Sequence, residues 1–353
     1  MIPGSRAMHP LHDPYRRFNW HPQRCDGTNG VNIATEERSM PFNTTPLQPI
    51  TDEDRATYQR DGVVCLRQVL DADWIEELLP TARRLLIDKE DFGLLPSYPG
   101  RYMARTIPAF RRMIFESGIA EAAGRAMGSR EIRFFFDEIF AKGPQSEEAT
   151  IWHCDRMGWP VVGHMVPSIW IPLTPITKAN SLECIAGSQV EDVPYWLFSP
   201  NARKMIKPAD RMPHPDGEAR RADPDSRFLS WDMEPGDMLL IHPWTLHYSH
   251  GNPTDDWRIA VSVRVFGDDI RWAPRPDCVN LAGVSFDEML DGEPPEGPLF
   301  PLLWSEDGRR DGDAEFPRGF ATRWTRARRG DVNEYETFKK SLDKASTEPE
   351  AVS

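Results

Sequence analysis

Residues 236–266 read GDMLLIHPWTLHYSHGNPTDDWRIAVSVRVF. A Gly236-Asp237 turn launches an apolar run, Met238–Ile241, that ends in a histidine cluster: His242, His247 and His250. Asn252-Pro253-Thr254-Asp255-Asp256 then reverses the chain into Arg258–Phe266. There, alternation puts Arg258, Ala260, Ser262 and Arg264 on one face and Ile259, Val261 and Val263 on the other. A guanidinium facing into a sheet is costly without an anionic partner, so this face expects a ligand. Working outward, Glu131–Ala141, Met165–Leu173 and Val63–Leu66 have the same strand character, bounded by Gly, Pro and Asp turns. Helical signals precede them. Thr51 with Asp52, Glu53 and Asp54 opens a short helix, and Asp71 or Asp73 caps a second, in which Trp74, Leu78, Leu79, Ala82, Leu85 and Leu86 recur. Pro80 predicts a kink or break in that helix, and a third helical stretch runs from about Phe110 to Met127. The pattern predicts an α+β, mainly β fold: a cupin-like jelly roll (double-stranded β-helix) with flanking N-terminal helices.

Composition narrows the partners. The 353 residues carry 42 basic and 55 acidic side chains, a formal charge of −13, which disfavours nucleic acid or an anionic membrane as partner. With 39% hydrophobic residues, the chain can bury a core. No apolar run approaches the roughly 18 residues of a membrane span, and residues 1–20 hold no apolar signal segment. The five cysteines are scattered, without a CxxC pair, as expected of reduced thiols in a cytoplasmic protein. Residues 1–48, with His9, His12 and His21, read as an N-terminal extension; 49–305 as the jelly-roll domain; 306–353 as a charged C-terminal extension and tail. Within the domain, the long polar stretch 190–232 is a candidate lid.

Trp152-His153-Cys154-Asp155 supplies the chemistry. Residues two apart on a strand share a face, so His153 and Asp155 can bind one cation together, with Cys154 turned away into the core. A histidine from the distal cluster completes two imidazoles and one carboxylate, the donor set of non-haem Fe(II) oxygenases. Arg258, across the hairpin from that cluster, suits bidentate capture of the distal carboxylate of 2-oxoglutarate. His242 is expected to pack within its strand and His250 to lie in a loop, while His164 reads equally as a pocket or a surface residue. Arg264 either contacts substrate or pairs with an acid such as Asp268.

In order and spacing, these segments resemble the phytanoyl-CoA dioxygenase family of Fe(II)/2-oxoglutarate oxygenases. The resemblance spans roughly Thr51 to Pro276 and includes Ser168-Ile169-Trp170, Asn180–Ser188, Gly236-Asp237, Leu246-His247 and Arg258. It implies His153, Asp155 and His247 as iron ligands, with no catalytic side chain beyond them. Arg258 would hold 2-oxoglutarate with Ser249 in support, and Lys142 and Trp170 would line the pocket. The family's Gly-Ser-His ending stands here as Gly187-Ser188-Gln189. Spacing also favours His247, which lies eleven residues before Arg258 with Ser249 two residues on. The expected activity is oxidation of a C–H bond in a small or medium-sized apolar metabolite, with Fe(II), 2-oxoglutarate and O2. An acyl-CoA substrate would use Arg203, Lys204, Lys207, Arg220 and Arg221, but acids interleave with them. A metal hydrolase would leave Arg258 unexplained, and a non-catalytic jelly-roll binding protein would have no need of the intact donors.

Overall fold

Thr51 and Asp54 form a reciprocal capping box that starts α1 (Asp52–Asp61), and Gly62, at φ 73°, ends it in the left-handed conformation. The computed structural model describes residues 42–94, 100–199, 204–207, 209–213, 215–275, 278 and 291–319. The expectations for residues 1–41, including His9, His12 and His21, and for the tail beyond 319 lie outside these. β1 (Val63–Leu66) follows α1, and Asp71 caps α2 (Ala72–Leu86) by accepting the Trp74 N–H. Of the kink or break expected at Pro80, the break is not found: α2 runs on through it. Its buried stripe of Trp74, Leu78 and Ala82 packs into the main core, and such packing outweighs one missing hydrogen bond. The third helical stretch is two helices, α3 (Pro108–Glu116) and α4 (Ile119–Met127). Ser117 turns extended between them, and a Cβ at Gly118 would strike the backbone of Thr45 and Pro46, so this close approach divides the stretch.

The strands then follow in chain order: β2 (Glu131–Lys142), β3 (Thr150–His153), β4 (Val161–Val162), β5 (Ser168–Pro172), β6 (Leu182–Ile185), β7 (Leu197–Ser199), β8 (Lys204–Ile206), β9 (Phe228–Leu229), β10 (Met238–Ile241), β11 (His247–Ser249), β12 (Arg258–Phe266), β13 (Arg271–Trp272) and β14 (Leu302–Ser305). A six-stranded antiparallel sheet has the order β1-β10-β5-β12-β2-β14, and a four-stranded one the order β3-β11-β6-β9. Together they make the mainly β jelly roll. The alternation read in β12 holds: Ile259, Val261, Val263 and Val265 pack with the helices in one large core. On the opposite face, Ala260 joins Trp170, Leu239 and Ile241 against Leu182 and Cys184 of the smaller sheet.

The stretch 190–232 is more structured than its composition suggests. β7 pairs with β8, and β9 joins the smaller sheet beside β6. Residues 218–221 are clamped down: Trp152 Nε1 donates to Glu218 at 2.9 Å, while Arg221 reaches Glu183 and Glu218, each at 2.6 Å. Beyond residue 305 the chain still packs, since Phe316 is buried edge-on against Phe115 and Phe134. Phe42 stacks near Trp74 at 4.3 Å, and Trp74 Nε1 donates to the Asn43 carbonyl. Among the described residues, Cys65, Cys154 and Cys184 are free thiols. Among the described residues no helix is long and apolar enough to cross a membrane.

Candidate metal centre

His153 and His247 come from β3 and β11 and stand directly opposite each other in the register of that pair. Their rings lie 4.2 Å apart, centroid to centroid. Each Nδ1 sits against a carbonyl of its own chain, Ile151 O at 2.7 Å and Thr245 O at 3.0 Å. With Nδ1–H donating there, both Nε2 lone pairs are left for a common point. Asp155 Oδ1 lies 3.8 Å from His153 Nε2 and 4.0 Å from His247 Nε2. One donor atom from each residue falls within 4.8 Å of the others. Strand alternation is not what places Asp155: β3 stops at His153, and a 3-10 turn over Asp155–Gly158 carries the carboxylate round. Cys154 does face away, buried with Trp152, Met157, Ile185 and Leu246.

The electrostatics suit a divalent transition metal. Burial and the neighbouring His247 hold His153 down to about 4, so its imidazole is neutral. Burial works against ionising Asp155, but Arg264, the two histidines and the Ser168 hydroxyl outweigh it and hold the carboxyl down to about 2. A neutral His153 imidazole and an ionised Asp155 carboxylate, with His247 opposite, fit Fe(II) with positions left open.

A second cluster begins where β12 does. Arg258 is buried and pairs in register with Lys142 at the end of β2. Its Nη1 donates to Ser249 Oγ at 2.8 Å, and its guanidinium lies 5.2 Å from the centre of the Trp170 ring. Lys142 Nζ donates to the carbonyls of Ser249 and His250. Burial lowers Arg258 to about 10; burial and Arg258 lower Lys142 to about 7. Among the described residues, no carboxylate forms an ion pair with either cation. A buried guanidinium and a half-buried ammonium without an acid make a receptor for an anion.

The other histidines stay apart from the donor group. His242 lies just past the end of β10, with His164 stacked at 5.7 Å, and its Nδ1 accepts the Trp244 N–H. His250 Nε2 is 3.5 Å from Glu183. Arg264 pairs with acids, as one of its two readings expected, but not with Asp268. Arg264 meets Glu138 at 3.2 Å and Asp155 at 3.8 Å, whereas Asp268 accepts the backbone N–H groups of Arg130 and Glu131. The alternation that turns Arg258 inward does the same for Arg264, and Glu138 faces it from β2. Sequence reasoning missed Ser168 and Glu138 as neighbours of the centre. Ser168 stood in the motif without a role, and nothing in the local sequence of Glu138 distinguishes it from a surface acid.

The chain matches the family described as Phytanoyl-CoA dioxygenase (PhyH) over residues 58–260, more than half of its length. No curated protein matches it. Among solved structures, it is similar to the non-heme alpha ketoglutarate dependent carbocyclase SnoK from nogalamycin biosynthesis, at 21% identity and a TM-score of 0.56, covering 74% of this chain and 100% of that one. The epimerase SnoN, in complex with Fe3+, alpha ketoglutarate and nogalamycin RO, is 23% identical with a TM-score of 0.55, covering 71% and 98%. EctD from S. alaskensis, with 2-oxoglutarate and 5-hydroxyectoine, is 19% identical with a TM-score of 0.52, covering 73% and 94%. These likenesses establish a shared fold.

Proposed function

The chain belongs to the phytanoyl-CoA dioxygenase family of Fe(II)- and 2-oxoglutarate-dependent oxygenases, and from that premise we propose that His153, Asp155 and His247 hold the iron while Arg258 holds the co-substrate. The observation that carries this reading is the convergence of three donor atoms within 4.8 Å, drawn from two segments far apart in the chain. When bound, iron with 2-oxoglutarate and O2 supplies an oxidative decarboxylation, to succinate and CO2, coupled to oxidation of a substrate C–H bond. The chain's own residues bind and orient. Arg258 takes the distal carboxylate of 2-oxoglutarate, Ser249 supports that guanidinium, Lys142 adds a second positive group, and Trp170 walls the pocket.

The primary substrate we infer is a small or medium-sized apolar metabolite, taken up in the cytoplasm. Phe136 and Phe140 face Arg264 and Ala260 across the β2–β12 pair, and half-exposed Ile151 stands two residues before His153. These apolar surfaces border the donor group and favour an apolar ligand. Arg220 and Arg221, which a CoA phosphate would need, are already paired with Glu191, Glu183 and Glu218. The relatives solved with nogalamycin RO and with 5-hydroxyectoine also favour a small-molecule substrate.

Succinate release from 2-oxoglutarate by the purified, iron-loaded protein tests the reaction. Iron content tests the ligands: His247→Ala is expected to lose iron and all turnover, whereas His250→Ala keeps iron and part of its activity. Full iron occupancy in His247→Ala would overturn the assignment.

A further inference from the structure

We propose that Ser168 and Arg264 are positioning residues that reserve one oxygen of Asp155, so that the carboxylate meets the metal through the other alone. The proposal rests on the metal-centre reading above. Asp155 Oδ1 is the oxygen that faces both histidines, at 3.8 and 4.0 Å from their Nε2 atoms. Oδ2 is engaged elsewhere: the Ser168 hydroxyl donates to it, and Arg264 Nη2 stands 3.8 Å away. Both partners come from the larger sheet, where Arg264 on β12 and Ser168 on β5 are directly opposed in register. A cross-strand pair therefore reaches the far oxygen of a carboxylate that a turn, not a strand, delivers.

Arg264 is itself held from behind. Its side chain is buried, with the Phe136 and Phe140 rings 5.2 and 5.8 Å from the guanidinium carbon. Its Nη1 lies 3.2 Å from Glu138 Oε2 but, like Nε, makes no directed hydrogen bond among the described residues. Glu138 is in turn paired with Arg101 Nε. The guanidinium is thus aimed by two carboxylates and two rings. The consequence is chemical. A carboxylate free to turn could chelate through both oxygens and occupy a position that the co-substrate or O2 needs. With Oδ2 engaged, the open face is preserved.

Co(II) binding to the purified apoprotein, without 2-oxoglutarate or substrate, provides the test, read as Kd and as the visible absorption of the bound ion. Removing Arg264 alone also deletes a positive charge beside a cation, which by itself favours binding. The double variant Arg264→Met/Glu138→Gln leaves the local charge unchanged and isolates position. It and Ser168→Ala are each expected to weaken Co(II) binding by about 10- to 100-fold, the usual cost of losing support behind a ligand, and to alter the Co(II) spectrum. Arg264→Lys, which keeps the charge, is expected to retain most of the affinity. Wild-type Kd and spectrum in Ser168→Ala and in the double variant, each with an unchanged apoprotein Tm, would overturn the proposal. Should the double variant not fold, Ser168→Ala alone decides. Wild-type Kd in His247→Ala would instead overturn the metal-centre reading.

Discussion

Asp137 shows how much one buried carboxyl can cost. It has no exposed surface; Oδ2 accepts the Ala104 N–H at 2.9 Å, while Oδ1 has no hydrogen-bond partner among the described residues. Burial raises its pKa from 3.8 to about 7 against the pull of the backbone donors. Between those values the folded chain keeps a proton that the unfolded chain has released. Stability therefore falls as pH rises from about 4 to about 7 and levels off above, by roughly 4 kcal/mol if the whole shift is expressed. Asp137→Asn is expected to lose this slope and to exceed the wild type in Tm at pH 8; parallel Tm losses from pH 5 to pH 8 in both proteins would contradict it. Lys142 makes a prediction about binding. Below pH 7 it is charged and attracts a dicarboxylate, so 2-oxoglutarate affinity should fall as pH rises through 7, by at most about tenfold per unit. In Lys142→Met, the Kd measured at pH 6, 7 and 8 should be weaker at pH 6 and nearly flat. Arg258 was legible in the sequence because alternation turns a guanidinium inward with no acid to meet it. Asp137 was not, since a carboxylate in an apolar strand looks the same whether it faces water or the loop that covers it.

At the scale of elements, local rules read well where one signal acts alone. Thr51, Asp71 and the Gly236-Asp237 turn each mark a boundary found in the structure. They fail where packing decides, as at Gly118 and at the end of β3 before Asp155. The segment 217–222 is a further case, because its composition gives no hint that it is fastened beside the site. A Cβ at Gly217 would collide with the indole of Trp152, whose chain neighbour is His153. Gly217→Ala should therefore lift the segment, strain the Trp152–Glu218 hydrogen bond, and cost about 1–3 kcal/mol. Urea unfolding would measure the loss, and faster trypsin cleavage after Arg220 or Arg221 would locate it. Unchanged values for both would mean that Trp152 yields instead.

Across the whole molecule, the jelly roll and its helical layer were readable from strand spacing. The outer limits of the packed structure were not, because they depend on contacts remote in sequence. Phe316 lies beyond the boundary expected at residue 305, yet it fills a hole between α3 and β2. Phe316→Ala should cost about 3–5 kcal/mol in urea unfolding, as for any large core aromatic; a loss under 1 kcal/mol would return residues 306–319 to the status of an appendage. The register of His153 against His247 has a consequence for biosynthesis. β3 is the end strand of its sheet, with β11 as its neighbour, and the two histidines are 247 − 153 = 94 residues apart. A ribosome adding roughly 5–20 residues each second would need about 5–20 seconds between them. During that interval the first histidine and the aspartate are already made, but the strand that completes the site is not. On the proposed ligand set, iron captured by a nascent chain would meet two of the three donors, so completion of the site would wait for β11.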